Sequence, residues 1–367
     1  MEKIKGIIKL GRNWEFVTIK NKPYLINVAN SETMYLDAEL KPTETLFNLI
    51  DEPQSQENLE KLVKTKHPFV KNSWVKNFIK LMKKYHILEE IEKIPDTLSQ
   101  NYLTGLERQI DYLRELGKGK NNYQYQEKLK NTRIVFLGLG NIGHYLVYPL
   151  VSSGIGFFKC VDFDTVERRN IARQPIFRRN DIGKLKSDVV ADYINNLKIG
   201  VSAESVNLKI TSPEDVMKVI ADCDLVVQCC DIPRFTVRRW ITAACLKMNK
   251  PDLIVFSGRI GPFCIPGKTP CYGCLETTIA RRFFWYYPLA DHIAKSRIVE
   301  YPELAVVSTV TSAIASKEIV GHILGIRPET YDHFFDINPY TLKINSYKLN
   351  RQKHCYACGD QKSSKTD

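Results

Sequence analysis

The chain has 367 residues, 44% of them hydrophobic and 26% charged, with 53 Lys and Arg against 41 Asp and Glu for a net charge of +12. This excludes a disordered chain, allows two domains with a sizeable core, and predicts anionic partners such as an acidic peptide, ATP or nucleic acid, unless the lysines only solvate the surface. No apolar run approaches the about 18 residues of a membrane-spanning helix, and the opening MEKIKGIIKL lacks a long apolar core and a cleavage site, so the expectation is a soluble, cytoplasmic protein without a membrane partner.

Residues 1–95 read as a separate α+β domain, winged-helix-like in content. Alternation over Trp14–Ile19 and Pro23–Val28 predicts strands, with Met34–Leu36 a short third. Helices are predicted over Thr43–Ile50, after Pro42, and over Gln56–Thr65, with Ser55 as N-cap. A third is predicted over Ser73–Glu90, where Val75, Phe78, Ile79 and Met82 recur at helical spacing. Lys76, Lys80, Lys83 and Lys84 fall on the outer face of that helix, which permits DNA binding but is ordinarily just a solvated face. Residues 96–130 form a charged linker in which Gly117, Gly119, Asn121 and Asn122 mark a break.

From residue 131 to the end, strand and helix patterns alternate. Strands are predicted over Ile134–Leu137, Phe157–Val161, Val201–Asn207, Leu225–Cys229 and Leu253–Ser257. Helices are predicted over Ile142–Ser152, Lys186–Leu197, Pro213–Ile220 and Phe235–Met248. This order implies α/β architecture, a Rossmann-like, doubly wound, mostly parallel sheet with its ligand at the carboxyl ends of the strands. The sheet does not need segment 276–302, whose aromatics Phe283–Tyr287 suit either a peptide groove or a dimer interface. The helix predicted over Thr311–Leu324 is a packing helix and a candidate dimer face.

Two constellations carry chemistry. The first opens with Gly138-x-Gly140-x-x-Gly143 between strand and helix, a turn that lets phosphate approach backbone N–H groups. Alone it fits any nucleotide. Downstream, however, come Asp162, Asn170, Arg173, Gln174 and Lys186, an acid, two amides and two cations, which offer groups for a ribose and a triphosphate and favour ATP over a dinucleotide. Asp231 directly follows the apolar run DLVVQCC, where a doubly wound sheet presents a side chain to ligand; its other reading is a helix N-cap. The second constellation is Cys271-x-x-Cys274 with Cys355-x-x-Cys358, four thiolates for a tetrahedral, structural Zn²⁺ that would pin the C-terminal tail to the sheet domain. The remaining six cysteines mostly lie in apolar runs and read as core.

The stretch Thr132–Lys186 resembles the ThiF and MoeB family of adenylating enzymes, relatives of ubiquitin-activating enzymes, whose pattern runs D-x-D-x-V-x-x-x-N-x-x-R-Q and then D-x-G-x-x-K. The resemblance implies that Gly138, Gly140, Gly143, Asp162, Asn170, Arg173, Gln174 and Lys186 bind ATP, with Asp162 at the ribose. It implies that Arg173 and Lys186 assist catalysis and that Asp231 holds Mg²⁺. It also covers the zinc cysteines with their P-G-x-x-x-C-x-x-C lead-in from Pro266. GLERQIDYLREL is similar to the segment ahead of the nucleotide domain in that family, which makes Arg108 a candidate to reach the ATP site of a partner subunit in a homodimer. The chain departs from the MoeB pattern after Asp231, where Arg234, Arg238 and Arg239 follow; extra arginines there suit a substrate with more than one carboxylate, or else lie on a solvated helix face.

That departure is similar to the peptide-adenylating members of the family in microcin C biosynthesis, whose plan of an amino-terminal peptide-binding domain joined to this fold is shared in pantocin A biosynthesis, and residues 1–95 resemble the PqqD-like element that holds a leader peptide as an added strand. The implied function is ATP-dependent adenylation of a carboxylate, a Glu or Asp side chain or a C-terminus, of a ribosomally made precursor peptide in antibiotic maturation. The implied partner is that peptide, with no nucleic acid. Two other readings stay open: activation of the C-terminal glycine of a ubiquitin-like sulfur carrier, and a nucleotide-sensing DNA-binding regulator.

Overall fold

The computed structural model describes residues 3–359 except 12, 29, 86, 93, 117–121, 296–303 and 342. Two compact units divide it, residues 1–126 and 127–367. Among the described residues no helix is long and apolar enough to cross a membrane.

The N-terminal unit is α+β. Strand β1 (Lys3–Leu10) precedes an antiparallel meander of β2 (Trp14–Ile19), β3 (Lys22–Asn27) and β4 (Thr33–Tyr35). Helix α1 (Leu40–Ile50) starts earlier than Pro42 suggests, because a proline within the first turn loses no helical hydrogen bond. A short β5 (Gln54–Ser55) leads into α2 (Gln56–Lys66), where Ser55 Oγ accepts from Asn58 N at 3.1 Å, the cap its sequence predicts. Helix α3 (Asn72–Lys84) buries Val75, Phe78, Ile79 and Met82, as their spacing predicts.

It does not continue to Glu90. Tyr85 ends it, and Leu88–Glu92 forms β6, paired antiparallel with β1, which sequence periodicity did not reveal. β6 is an edge strand, and its LEEIE has apolar residues three apart, which does not alternate as a strand should; Leu88 pairs with Leu10 while Ile8, in β1, is fully buried. Three helices follow: α4 (Gln100–Leu103), α5 (Glu107–Leu116) and α6 (Asn122–Asn131). Most of the expected break at Gly117–Asn122 lies outside the described residues.

The second unit is an eight-stranded sheet. Its parallel part is ordered β9 (Ser202–Val206), β8 (Phe157–Val161), β7 (Arg133–Leu137), β10 (Leu225–Gln228), β11 (Asp252–Phe256). Beyond β11 the pairing turns antiparallel through β12 (Arg259–Cys264), β13 (His333–Ile337) and β14 (Ile344–Lys348). The helices are α7 (Asn141–Ser152), α8 (Lys186–Asn196), α9 (Pro213–Ile220), α10 (Thr236–Lys247), α11 (Tyr272–Arg282), α12 (Tyr286–Lys295) and α13 (Ala305–Leu324). β7 and β10 are buried along most of their length, which is why they read as unbroken apolar runs. The chain leaves β7 toward β8 on one side and later returns to β10 on the other. The strand order therefore reverses between β7 and β10, the place where open α/β sheets bind ligand. Residues 296–302, the end of segment 276–302, lie outside the described residues.

β1 is the element that closes the N-terminal core. Replacing Ile8 by Ala should lower the stability of that unit by about 3 kcal/mol, read from urea unfolding; a change below about 1 kcal/mol would show that β1 is not part of the core.

Candidate functional site

β7 and β10 both run into loops that meet at their carboxyl ends. Gly138 has φ +95°, and a Cβ there would lie 2.7 Å from Cys230 N in the β10 loop. A Cβ at Gly143 would lie 2.1 Å from the Gly138 carbonyl, whereas one at Gly140 would meet nothing within 4 Å. The outer two glycines therefore close the turn against the neighbouring loop and helix. Gly140 faces open space at the start of α7, where backbone N–H groups lack helical partners.

Asp162, at the end of β8, is buried beneath this turn. Its Oδ2 accepts from Leu139 N at 2.7 Å and its Oδ1 from Asp164 N at 2.8 Å, so the carboxylate shapes the glycine loop and the chain leaving β8 together. Burial pushes its pKa up, against the pull of the Lys186 charge and the two backbone donors. Lys186 opens α8 nearly buried, with Nζ 2.9 Å from Asp164 Oδ2. Asn170 is buried in a short 3₁₀ turn and accepts from Glu167 N at 2.7 Å, while Arg173 N and Gln174 N both donate to its carbonyl. Gln174 is buried, and its Oε1 has no hydrogen-bond partner among the described residues. His144 holds this loop onto α7, its Nε2 accepting from Ile176 N at 2.8 Å; burial, then the Lys186 charge, lowers its pKa to about 3, so it is neutral.

Asp231 is exposed beyond β10 and makes no hydrogen bond or ion pair with the described residues. It does not cap α10, whose N-cap is Phe235. Burial pushes the Cys230 thiol up to about 12, and the charges of Arg238, Asp231 and Asp162 act on it more weakly. The fold thus gathers the glycine turn, Asp162 and Asp231 at the switch point, with Lys186 close to Asp162. Arg108 is exposed on α5 in the other unit.

The arginines after Asp231 divide. Arg239 is bidentate to the fully buried Glu276, Nε to Oε2 at 2.9 Å and Nη2 to Oε1 at 3.0 Å, which commits it inside the protein. Arg238 lies over the Phe256 ring, 4.5 Å from its centroid. Of the two readings of Arg234, Arg238 and Arg239, a substrate with more than one carboxylate or a solvated helix face, neither holds for Arg239. Sequence reading gave Glu276 no role, because nothing in the run Cys274-Leu275-Glu276-Thr277 marks its carboxylate as buried.

Cys271, Cys274, Cys355 and Cys358 bring their four sulfurs within 4.8 Å of one another. The separations of 3.9 Å (Cys271–Cys274), 3.6 Å (Cys271–Cys355) and 3.4 Å (Cys274–Cys358) are near the about 3.8 Å edge of a tetrahedron with zinc–sulfur bonds of about 2.3 Å. Backbone N–H groups of Gln352 and Ala357 point at Cys274 and Cys355 sulfurs at 3.3 and 3.4 Å, as they do when sulfur carries negative charge. The donor set fits zinc.

Comparisons with known proteins agree with this geometry. The Escherichia coli molybdopterin-synthase adenylyltransferase is 26% identical over 242 residues, covering 65% of this chain and 91% of that protein. The sulfur carrier protein adenylyltransferase of Thermus thermophilus is 26% identical over 244 residues, covering 64% and 85%. Among solved structures, E. coli MccB with ATP has a TM-score of 0.70 at 23% identity, covering 96% of this chain and 100% of that one. PaaA has a TM-score of 0.72 at 16% identity, covering 93% and 99%. The ThiF family matches residues 106–358, and the chain belongs to that family of ATP-dependent adenylating enzymes.

Proposed function

We propose that the protein adenylates a carboxylate, a Glu or Asp side chain or a C-terminus, of a ribosomally made precursor peptide, as a cytoplasmic step in peptide antibiotic maturation. The observation that carries this is coverage. MccB, one of whose structures is titled as a microcin C7 biosynthetic enzyme in complex with N-formylated MccA, is similar over 96% of this chain. The molybdopterin-synthase adenylyltransferase uses 91% of its own length on 65% of this one, leaving little to match the rest. In this reading residues 1–95 bind the leader, 96–130 link, and 131–367 carry the chemistry. The meander β2–β3–β4 offers exposed strand edges for an added strand.

Both reactants are anions, so the barrier to carboxylate attack on the α-phosphorus is largely electrostatic. As the carboxylate oxygen bonds to phosphorus the bond to pyrophosphate breaks, giving acyl adenylate and pyrophosphate. Gly140 and the α7 N-terminus would receive the phosphates, with Asp162 at the ribose and Asn170 and Gln174 orienting the loop beside them. Arg173 and Lys186 would supply positive charge, Lys186 oriented by Asp164. Asp231, exposed and unpaired among the described residues, suits Mg²⁺, which supplies charge neutralisation at the departing pyrophosphate. Zn²⁺ on the four cysteines would be structural.

A homodimer belongs to this reading, with Arg108 serving the partner's site. It is supported by an apolar cleft of about 410 Å³ between α7, α8 and α13, lined by Tyr145, Tyr148, Tyr193 and Ala313. The second reading, adenylation of a sulfur carrier's C-terminal glycine, draws on the names of the two curated relatives.

Incubation of the protein with ATP, Mg²⁺ and the peptide of a neighbouring short reading frame should release pyrophosphate, and Asp231→Ala should slow release by about 100-fold or more. Release that Asp231→Ala leaves unchanged rejects the site, and release driven by a sulfur carrier but by no peptide favours the second reading. The purified chain should also contain about one zinc, and Cys355→Ser should lose it with a lowered melting temperature; a full complement of zinc in that variant would place the metal elsewhere.

A further inference from the structure

The loop between Asp231 and α10 is held in an unfavourable conformation. Phe235 has φ +59° and ψ −49°, and Thr236 N donates to Arg234 O at 2.6 Å across it, a three-residue turn of the left-handed kind. A bulky residue in that region persists only where its surroundings over-determine it. Those surroundings converge on Glu276. Tyr286, the first residue of α12, sets the edge of its ring against Phe235, with centroids 6.0 Å apart at 88°. Its hydroxyl donates to Glu276 Oε1 at 3.1 Å. Arg239, whose backbone N donates to Phe235 O at 3.1 Å, clasps the same carboxylate with its guanidinium. Tyr356, between the two cysteines of the C-terminal pair, donates its hydroxyl to Glu276 Oε2. Burial pushes the Tyr286 phenol well up, so it remains a donor.

We propose that Glu276, with Arg239, Tyr286 and Tyr356, is a positioning network that clamps the strained Phe235 turn, presents Asp231 at the switch point, and ties that presentation to the C-terminal cysteine knuckle. The proposal rests on the reading of Asp231 as the carboxylate for Mg·ATP. Four elements meet at one buried carboxylate: α10 through Arg239, α11 through Glu276 itself, α12 through Tyr286 and the knuckle through Tyr356. Glu276 touches no reacting atom; it acts through the turn. Arg239 is thereby withdrawn from substrate, and Arg238 is the neighbouring cation left beside the site.

The experiment is equilibrium binding of ATP to the full chain across a Mg²⁺ series, with zinc content and melting temperature recorded for each variant. Glu276→Gln keeps the shape and removes the charge, and Tyr286→Phe keeps the ring on Phe235 and removes the hydroxyl. Both should retain zinc and Mg²⁺-free ATP affinity, while the Mg²⁺ concentration for half-effect rises about tenfold. A half-effect within about twofold of the parent chain, with zinc retained, overturns the network. Should Glu276→Gln not fold, Tyr286→Phe decides by the same comparison. ATP binding by the parent chain that ignores Mg²⁺ instead overturns the reading of Asp231, a result distinct from parent and variants responding alike.

Discussion

The second unit is organised around the contact between two loops, the glycine turn after β7 and the Cys229–Asp231 segment after β10. Their backbones approach so closely that a single methyl at Gly138 would overlap Cys230 N. That approach is possible because parallel strands end there together and the chain departs to opposite sides, leaving a crevice. In the proposed reading the nucleotide would be held by one wall and Mg²⁺ by Asp231 on the other. Asp162, bonded to Leu139 N and Asp164 N, makes the first wall a single rigid piece.

The second wall lacks such a local brace and borrows one from far along the sequence. Asp231 sits on a short connection with a left-handed phenylalanine, a conformation that costs on the order of 1–3 kcal/mol. The groups that hold it come from α10, α12 and the C-terminal knuckle. The cysteine cluster thus does more than close the chain end, because it fixes Tyr356 at a carboxylate that also orients the first turn of α10.

Legibility followed the range of the interactions. The glycine turn, the residues from Asp162 to Lys186 and the paired cysteines were readable because each sits in a short stretch with a fixed spacing, and the parallel strands because burial on both faces makes them uninterrupted apolar runs. β1 and β6 were hidden because each is stabilised by the other across most of a domain; the helical signal of Val75 to Met82 then carried past its true end at Lys84. Arg238 and Arg239 look equivalent in sequence, and only the buried Glu276 distinguishes them. The left-handed turn at Phe235 has no sequence signal at all, since a phenylalanine there contradicts local preference and follows from packing alone.

That contradiction argues for function over stability. A buried ion pair rarely stabilises a fold relative to apolar residues of the same shape, because desolvating both charges offsets most of their attraction. Here burial works against the Arg239 charge and the Glu276 carboxylate more than compensates. Two tyrosine hydroxyls complete the coordination of its oxygens, so the arrangement is fully satisfied rather than merely tolerated. What such a network supplies and an apolar patch cannot is direction: each donor must lie within hydrogen-bond reach of a fixed oxygen, so a shift of about 1 Å in α10 would break both Arg239 bonds and one in α12 the Tyr286 bond. If Asp231 meets a cation, as proposed, the end of its loop is where directional rigidity would change chemistry, and elsewhere on the sheet it would only cost stability.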